Sequence, residues 1–293
     1  MAQAAREWLG ALLERERLPQ AYIGFVDTVL VPLAARIAVQ AQASELPLLM
    51  GLCGAQGSGK STAAAALAGL LEDAGLPTAA LSIDDFYLSR AARERLAREV
   101  HPLLLTRGAP GTHDVALMNS VIKALRTGDC PPLPRFDKAR DDRVPEGQWQ
   151  PPLQPPRVVL VEGWCVGARP EPASALAAPI NELERLEDID GRWRRHVNDA
   201  LASAYRPLFD ALRPLVLLAA PSFDVVYRWR LEQEHKLRAR LQREGGDPGR
   251  VMDDAQVARF IAHYERVTRH ILAEMPDRAD ALVRLDAQRR ALP

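Results

Sequence analysis

Leu46-Pro-Leu-Leu-Met-Gly-Leu-Cys53-Gly54-Ala-Gln-Gly-Ser-Gly59-Lys60-Ser61-Thr62 decides the reading of this chain. A short apolar run ending in glycine suits a strand buried on both faces of a parallel sheet. Residues Gly54 to Ser61 then satisfy G-x-x-x-x-G-K-[ST]. With 18 glycines and four lysines in 293 residues, chance supplies on the order of 0.001 such matches. The glycines let backbone N–H groups converge on an anion, and a helix starting near Lys60 adds its positive end. Lys60 is placed to reach the terminal phosphates of a nucleotide and the Ser61 hydroxyl to ligate Mg²⁺.

The flanking sequence carries the matching pattern. An Ala-rich helix over about 60–74 closes at Gly75. Further apolar runs at Thr78–Ile83, Arg157–Val161, Leu215–Ala219 and Ala281–Leu285 read as strands. Helical periodicity fills about 114–127, 192–213, 223–243 and 253–275. Strands alternating with helices give an α/β class and a parallel sheet flanked by helices, the P-loop NTPase fold. Upstream, 2–17 and 20–43 read as two helices separated by Pro19, with Pro32 a kink point in the second. The expected organisation is an N-terminal helical extension over 1–45 and a nucleotide-binding domain over 46–293. Residues 128–156 carry eight prolines from Pro131 onward and read as an ordered excursion.

Composition narrows the function classes. Lys plus Arg and Asp plus Glu are 38 each, so net charge is zero, which argues against a coat for nucleic acid or anionic membrane. Cys53, Cys130 and Cys165 stand far apart without a C-x-x-C pair, so neither a disulfide framework nor a zinc knuckle is expected. The N-terminus is too charged for a signal peptide, and no run of 18 apolar residues is present. A cytoplasmic enzyme with a small-molecule partner, neither nucleic acid nor membrane, is the expectation; oligomeric state stays open.

Two acidic landmarks accompany the glycine loop. In Ser82-Ile-Asp84-Asp85-Phe-Tyr87 the carboxylates follow the second strand, and ligands bind at the carboxyl ends of strands in such sheets. A carboxylate there can orient and deprotonate an accepting hydroxyl, and the sequence leaves open which of the two does so. Glu162, after Val158-Val-Leu-Val161, stands where an acid meets Mg²⁺ directly or through water.

Together these segments resemble the phosphoribulokinase/uridine kinase/pantothenate kinase group and, more narrowly, the D-glycerate 3-kinase family. Arg107-Gly-Ala-Pro-Gly-Thr-His113-Asp114, Pro134-Arg135-Phe-Asp-Lys138, Val161-Glu-Gly-Trp164 and Val226-Tyr-Arg228-Trp-Arg230-Leu231 carry the narrower likeness. Phe136-Asp137 stands where that family usually has Tyr-Asn. The resemblance implies that Gly54, Ala55, Gln56, Gly57, Ser58, Gly59, Lys60, Ser61 and Thr62 hold ATP, with Ser61 and Glu162 on Mg²⁺. It implies Asp84 as base, Asp85 as a supporting or metal-linked acid, and Arg107, His113, Asp114, Arg135 and Lys138 in the acceptor pocket. His113-Asp114 also reads as a helix-start cap. Arg228 and Arg230 open a lid over about 228–252, and Gly245-Gly246-Asp-Pro248 would give it a mobile tip. Two residues apart on a helix is about 200° of rotation, so both arginines cannot face one phosphate. The implied activity is ATP-dependent phosphorylation of a hydroxyl, with D-glycerate as the first acceptor. A uridine-, pantothenate- or sugar-like acceptor, or a regulatory nucleotide-binding module with slow ATPase activity, are the alternatives.

Overall fold

The computed structural model describes residues 7–244 and 251–292. The chain opens with α1 (Glu7–Glu16), then α2 (Tyr22–Phe25) and α3 (Val31–Ala43), joined through a π turn at Val26–Leu30. Strand β1 (Leu48–Gly54) leads into α4 (Lys60–Asp73), and β2 (Thr78–Ser82) is followed by α5 (Arg90–Glu99) and α6 (Val115–Arg126). The proline-rich excursion contains a two-residue hairpin, β3 (Phe136–Asp137) with β4 (Asp142–Arg143). Then come β5 (Val158–Gly163), α7 (Glu182–Glu187), α8 (Arg192–Ala202), α9 (Arg206–Ala211), β6 (Leu215–Ala219), α10 (Phe223–Glu244), α11 (Asp254–Glu274) and β7 (Ala281–Arg284).

Five strands form one sheet in the order β2-β5-β1-β6-β7, every neighbouring pair parallel. The apolar runs dictate this placement. Val158, Val159, Leu160 and Val161 are each 0% exposed, and burying such a side chain is worth about 1.5–3 kcal/mol. Because β5 lies between β1 and β2, the loop after β1, Glu162 on β5 and the aspartates after β2 all reach the same carboxyl edge.

The helical reading of 192–213 divides in two. Pro207 in the first turn of α9 lacks an N–H and cannot continue a helix from upstream, so α8 stops at Ala202. Sequence periodicity also missed α5, for a plain reason. The buried residue of that helix is Arg93, so it has no apolar stripe to detect. The Arg93 guanidinium donates to the carbonyls of Leu88, Leu105 and Asp141 and ties three loops together.

The N-terminal helices share the main core. Leu9, Leu12, Val26, Leu30, Leu33 and Ile37 are buried with the sheet and with Ala63, Ala66 and Leu67 of α4. The π turn has an identifiable cause: Pro32 offers no N–H to the Thr28 carbonyl, and its ring crowds that carbonyl. By length and composition the helix Tyr22–Ala43 could cross a membrane, with mean hydropathy 1.6. Val26, Leu30, Leu33, Ala34 and Ile37 on one side of it pack into the core, and 28% of the apolar window is buried.

Candidate active site

The glycine loop closes over the end of β1. Gly57 (φ +76°) and Gly59 (φ +84°) adopt left-handed backbone. A Cβ on Gly57 would also stand 2.7 Å from the Cβ of Trp229 on α10, so the residue is fixed twice over. Gln56 Oε1 and Ser58 Oγ are buried without a partner in this cradle; the hydroxyl can donate to a phosphate oxygen, and the amide oxygen can accept from a water that hydrates it. The Ser61 hydroxyl donates to Glu162 Oε1 at 2.9 Å. Glu162 is 5% exposed, and its Oε2 has no partner. A buried carboxylate oxygen left open beside a serine hydroxyl is a donor set for a hard divalent cation.

The two aspartates separate by what they touch. Asp84 Oδ1 accepts from the Tyr87 hydroxyl and Oδ2 from Lys138 Nζ, both at 2.7 Å. Burial alone would raise its carboxyl. The charges of Lys138 and Lys60, with the hydrogen bonds from Lys138 and Tyr87, outweigh burial and hold it at about 2, below the ordinary 3.8. Asp85 turns the other way: Oδ2 accepts from Arg135 at 2.8 Å and Oδ1 from the Phe136 amide at 3.1 Å. It pins the hairpin that carries Lys138.

A cavity of about 290 Å³ opens beside the loop, with Lys60, Ser61, Asp84, Lys138, Arg107 and Arg230 among its lining. Arg107 is ion-paired with Asp141 and lies 5.5 Å from the Phe136 ring centroid. Arg230 is ion-paired with Glu234 and lies 5.5 Å from the Phe260 ring centroid. Both cations are thus held by carboxylates on their own side of the cleft.

Residues 49–168 match the phosphoribulokinase/uridine kinase family. An uncharacterized kinase of Schizosaccharomyces pombe, mug58, is 37% identical over 229 residues, covering 74% of this chain and 78% of the relative. The chloroplastic D-glycerate 3-kinase of Arabidopsis thaliana is 32% identical over 74% of this chain, which spans 46% of that protein's length. A solved D-glycerate 3-kinase from Cryptococcus neoformans superposes with a TM-score of 0.69 at 26% identity, covering 90% of this chain and 98% of that one. The chain belongs to the phosphoribulokinase/uridine kinase family.

Within this kinase the motif R-G-x-x-G-T-H-D is mostly scaffold that aims one arginine. Gly108 (φ +123°) has no side chain because the Tyr264 ring occupies that space. The Tyr264 hydroxyl donates to the Arg107 carbonyl, and Trp164 Nε1 to the Gly108 carbonyl. Thr112 Oγ1 accepts from the Gly108 amide and donates to the Ala109 carbonyl, closing the turn. Asp114 caps α6 through the Leu117 amide and accepts from Arg143, so the cap reading applies to it. His113 stacks on Tyr87 at 4.8 Å and is buried behind it, not on the cavity wall. Burial pulls its imidazole down to about 4, against the opposing charge of Asp84. The Tyr205 hydroxyl accepts from the Gly111 amide at 3.0 Å and shares a 2.7 Å hydrogen bond with His113 Nδ1.

Several residues expected in the site therefore stand elsewhere. Arg135 is engaged with Asp85 and does not line the cavity, and the same holds for Asp85 itself, His113 and Asp114. On α10, Arg230 faces the cavity whereas Arg228 is exposed, as two positions about 200° apart require. The Gly245–Pro248 turn lies outside the described residues. Tyr87, Trp164, Gln233, Phe260 and Tyr264 line the cavity without having been singled out. Tyr87 and Trp164 sit inside the quoted motifs and could have been flagged. Gln233, Phe260 and Tyr264 carry no local signal, because only the packing of α10 and α11 brings them in.

Proposed function

We propose that this kinase transfers the γ-phosphoryl group of ATP to a hydroxyl of a small hydroxy acid, D-glycerate first, giving 3-phosphoglycerate. The observation that carries the reading is the 290 Å³ cavity in which Asp84 meets Lys138, Arg107 and Arg230. Besides Lys60, which serves the phosphates, Lys138, Arg107 and Arg230 line it, and an anionic acceptor would take the place of the Asp141 and Glu234 carboxylates that now pair with the arginines. The volume lies at the small end of ligand pockets, which favours a three-carbon acid over a nucleoside. The name of the Arabidopsis relative points to the same acceptor.

In this mechanism the loop amides and Lys60 hold the phosphates in line with the acceptor. Ser61 and Glu162 would hold Mg²⁺, which when bound neutralises charge on the phosphate oxygens. Asp84, ionised at any pH above about 3, orients the attacking hydroxyl and accepts its proton. The Arg107 fork is suited to a carboxylate, and Arg230 to the charge that develops during transfer. On this reading 46–293 is the catalytic domain, and α10 brings Arg230 over the cleft from the lid side.

The test is ADP release by the purified protein with Mg·ATP, alone and with D-glycerate, L-glycerate, uridine or pantothenate. Stimulation by D-glycerate, with phosphate on the 3-hydroxyl by ³¹P NMR, is the expected result. Stimulation confined to another acceptor would keep the kinase and discard glycerate. A rate indifferent to every acceptor would favour the regulatory module instead.

A further inference from the structure

The N-terminal helices are not needed for any step described above, yet the turn between α1 and α2 shares a cavity with the nucleotide loop. A second cavity, of about 1070 Å³, lies on the far side of the loop from Asp84. Gly57 and Gln233 line both cavities, so the two form one groove passing over the loop. Lys60 and Ser61 face the smaller cavity, whereas Gly59 and Thr62 face the larger. On the reading of ATP as donor, its phosphates cross the loop with the γ end beside Asp84. The nucleoside end must then enter the larger cavity.

That cavity has an aromatic wall supplied by the extension. Tyr22, Phe25 and Thr28 line it, three positions on one helix face at the start of the π turn. The Tyr22 and Phe25 ring centroids are 5.5 Å apart with planes at 32°. Both rings are partly buried against the core and contribute to the cavity lining. The opposite side carries Arg289, which donates to the Gly57 carbonyl at 2.6 Å, pairs with Glu232 at 2.8 Å and covers the Trp229 ring at 5.1 Å. The wall is held in register with the loop. Trp8 donates to Asp73 at the end of α4 at 2.8 Å, and Val26 and Leu30 of the π turn are buried in the core beside that helix.

We infer that the N-terminal helices are a wall of the nucleotide site, with Tyr22 and Phe25 offering ring faces to a purine base. Stacking of a base on an aromatic ring is tolerant of ring orientation and excludes water from one base face. The extension is thereby a determinant of nucleotide affinity and not only a cover for α4.

Isothermal titration with ADP and with inorganic tripolyphosphate, on the full chain, tests this. Phe25→Leu keeps apolar volume and removes the ring; Tyr22→Leu is the second variant should the first fail to fold. The expected result is about ten-fold weaker ADP binding with tripolyphosphate binding unchanged. Undiminished ADP affinity in both folded variants would overturn the inference. Equal losses for ADP and tripolyphosphate would also overturn it, by tracing the effect to the phosphate loop. A wild-type protein that binds neither ligand would instead defeat the ATP reading on which the inference rests.

Discussion

The pairing of Lys138 with Asp84 makes a quantitative prediction. The fall of the Asp84 carboxyl from 3.8 to about 2 amounts to about 2.5 kcal/mol of net interaction favouring its ionised form in the folded protein. Asp84 is 25% exposed, but Lys138 is 61% exposed, so water and salt screen the lysine's share. That share is about 1 kcal/mol. Lys138→Met should therefore raise the Asp84 carboxyl by about 0.7 pH units and destabilise the fold by about 1 kcal/mol at pH 7. The sign of the pH dependence follows. A depressed carboxyl stabilises above its unfolded value and loses that contribution as pH falls through its folded value. Because the unfolded value is common to both proteins, the difference should hold from pH 7 to about 4, halve between about pH 2 and 3, where the two folded carboxyls titrate, and vanish near about pH 1. Carboxyl ¹³C shifts give the Asp84 titration, and urea unfolding at several pH values gives the stability. An unmoved Asp84 titration, or a stability difference as large near about pH 1 as at pH 7, would refute the reasoning.

Three further substitutions address other parts of the molecule. Glu162→Gln keeps a hydrogen-bond partner for Ser61 but removes the charge; the Mg²⁺ concentration for half-maximal activity should rise about 10–100-fold, read from a Mg²⁺ titration of the rate. Arg266 is 6% exposed and pairs with the fully buried Glu184 at 2.7 Å, joining α11 to α7. Arg266→Met strands that carboxylate and should cost about 3–5 kcal/mol, measured by denaturant unfolding. Gly57→Ala forces a Cβ against Trp229 in left-handed backbone and should weaken ADP binding at least about ten-fold while α-helical circular dichroism is retained.

The fold was legible where one residue type had one job. The apolar runs before Gly54, Glu162 and Ala219 could only be buried strands, and their alternation with helices left few sheet orders. Legibility failed where a polar residue performs an apolar one's role. Arg93 is the buried anchor of α5, so hydrophobic periodicity is silent there. The site divided along the same line. The loop, Asp84 and Glu162 are local motifs and could be read directly. Within R-G-x-x-G-T-H-D the structure separates positions that the sequence leaves alike: Arg107 lines the cavity, Asp114 caps a helix and His113 backs Tyr87. Asp84 and Asp85 are equivalent in sequence and distinct only through Lys138 and Arg135, which approach from some 50 residues downstream. Tyr22, Phe25, Phe260 and Tyr264 reach the groove through tertiary packing alone.

The paired substitutions Asp84→Asn and Asp85→Asn test the reading of the cleft most directly. Both variants should bind ADP as wild type does, since neither residue touches the loop that holds the phosphates. With the responsive acceptor saturating, Asp84→Asn should lower kcat by about 10²-fold or more, because the hydroxyl loses its proton acceptor. Asp85→Asn keeps an acceptor for the Phe136 amide and should stay within about ten-fold of wild type. Near-normal turnover in a folded Asp84→Asn protein, or a larger loss in Asp85→Asn than in Asp84→Asn, would contradict the assignment of Asp84 as base.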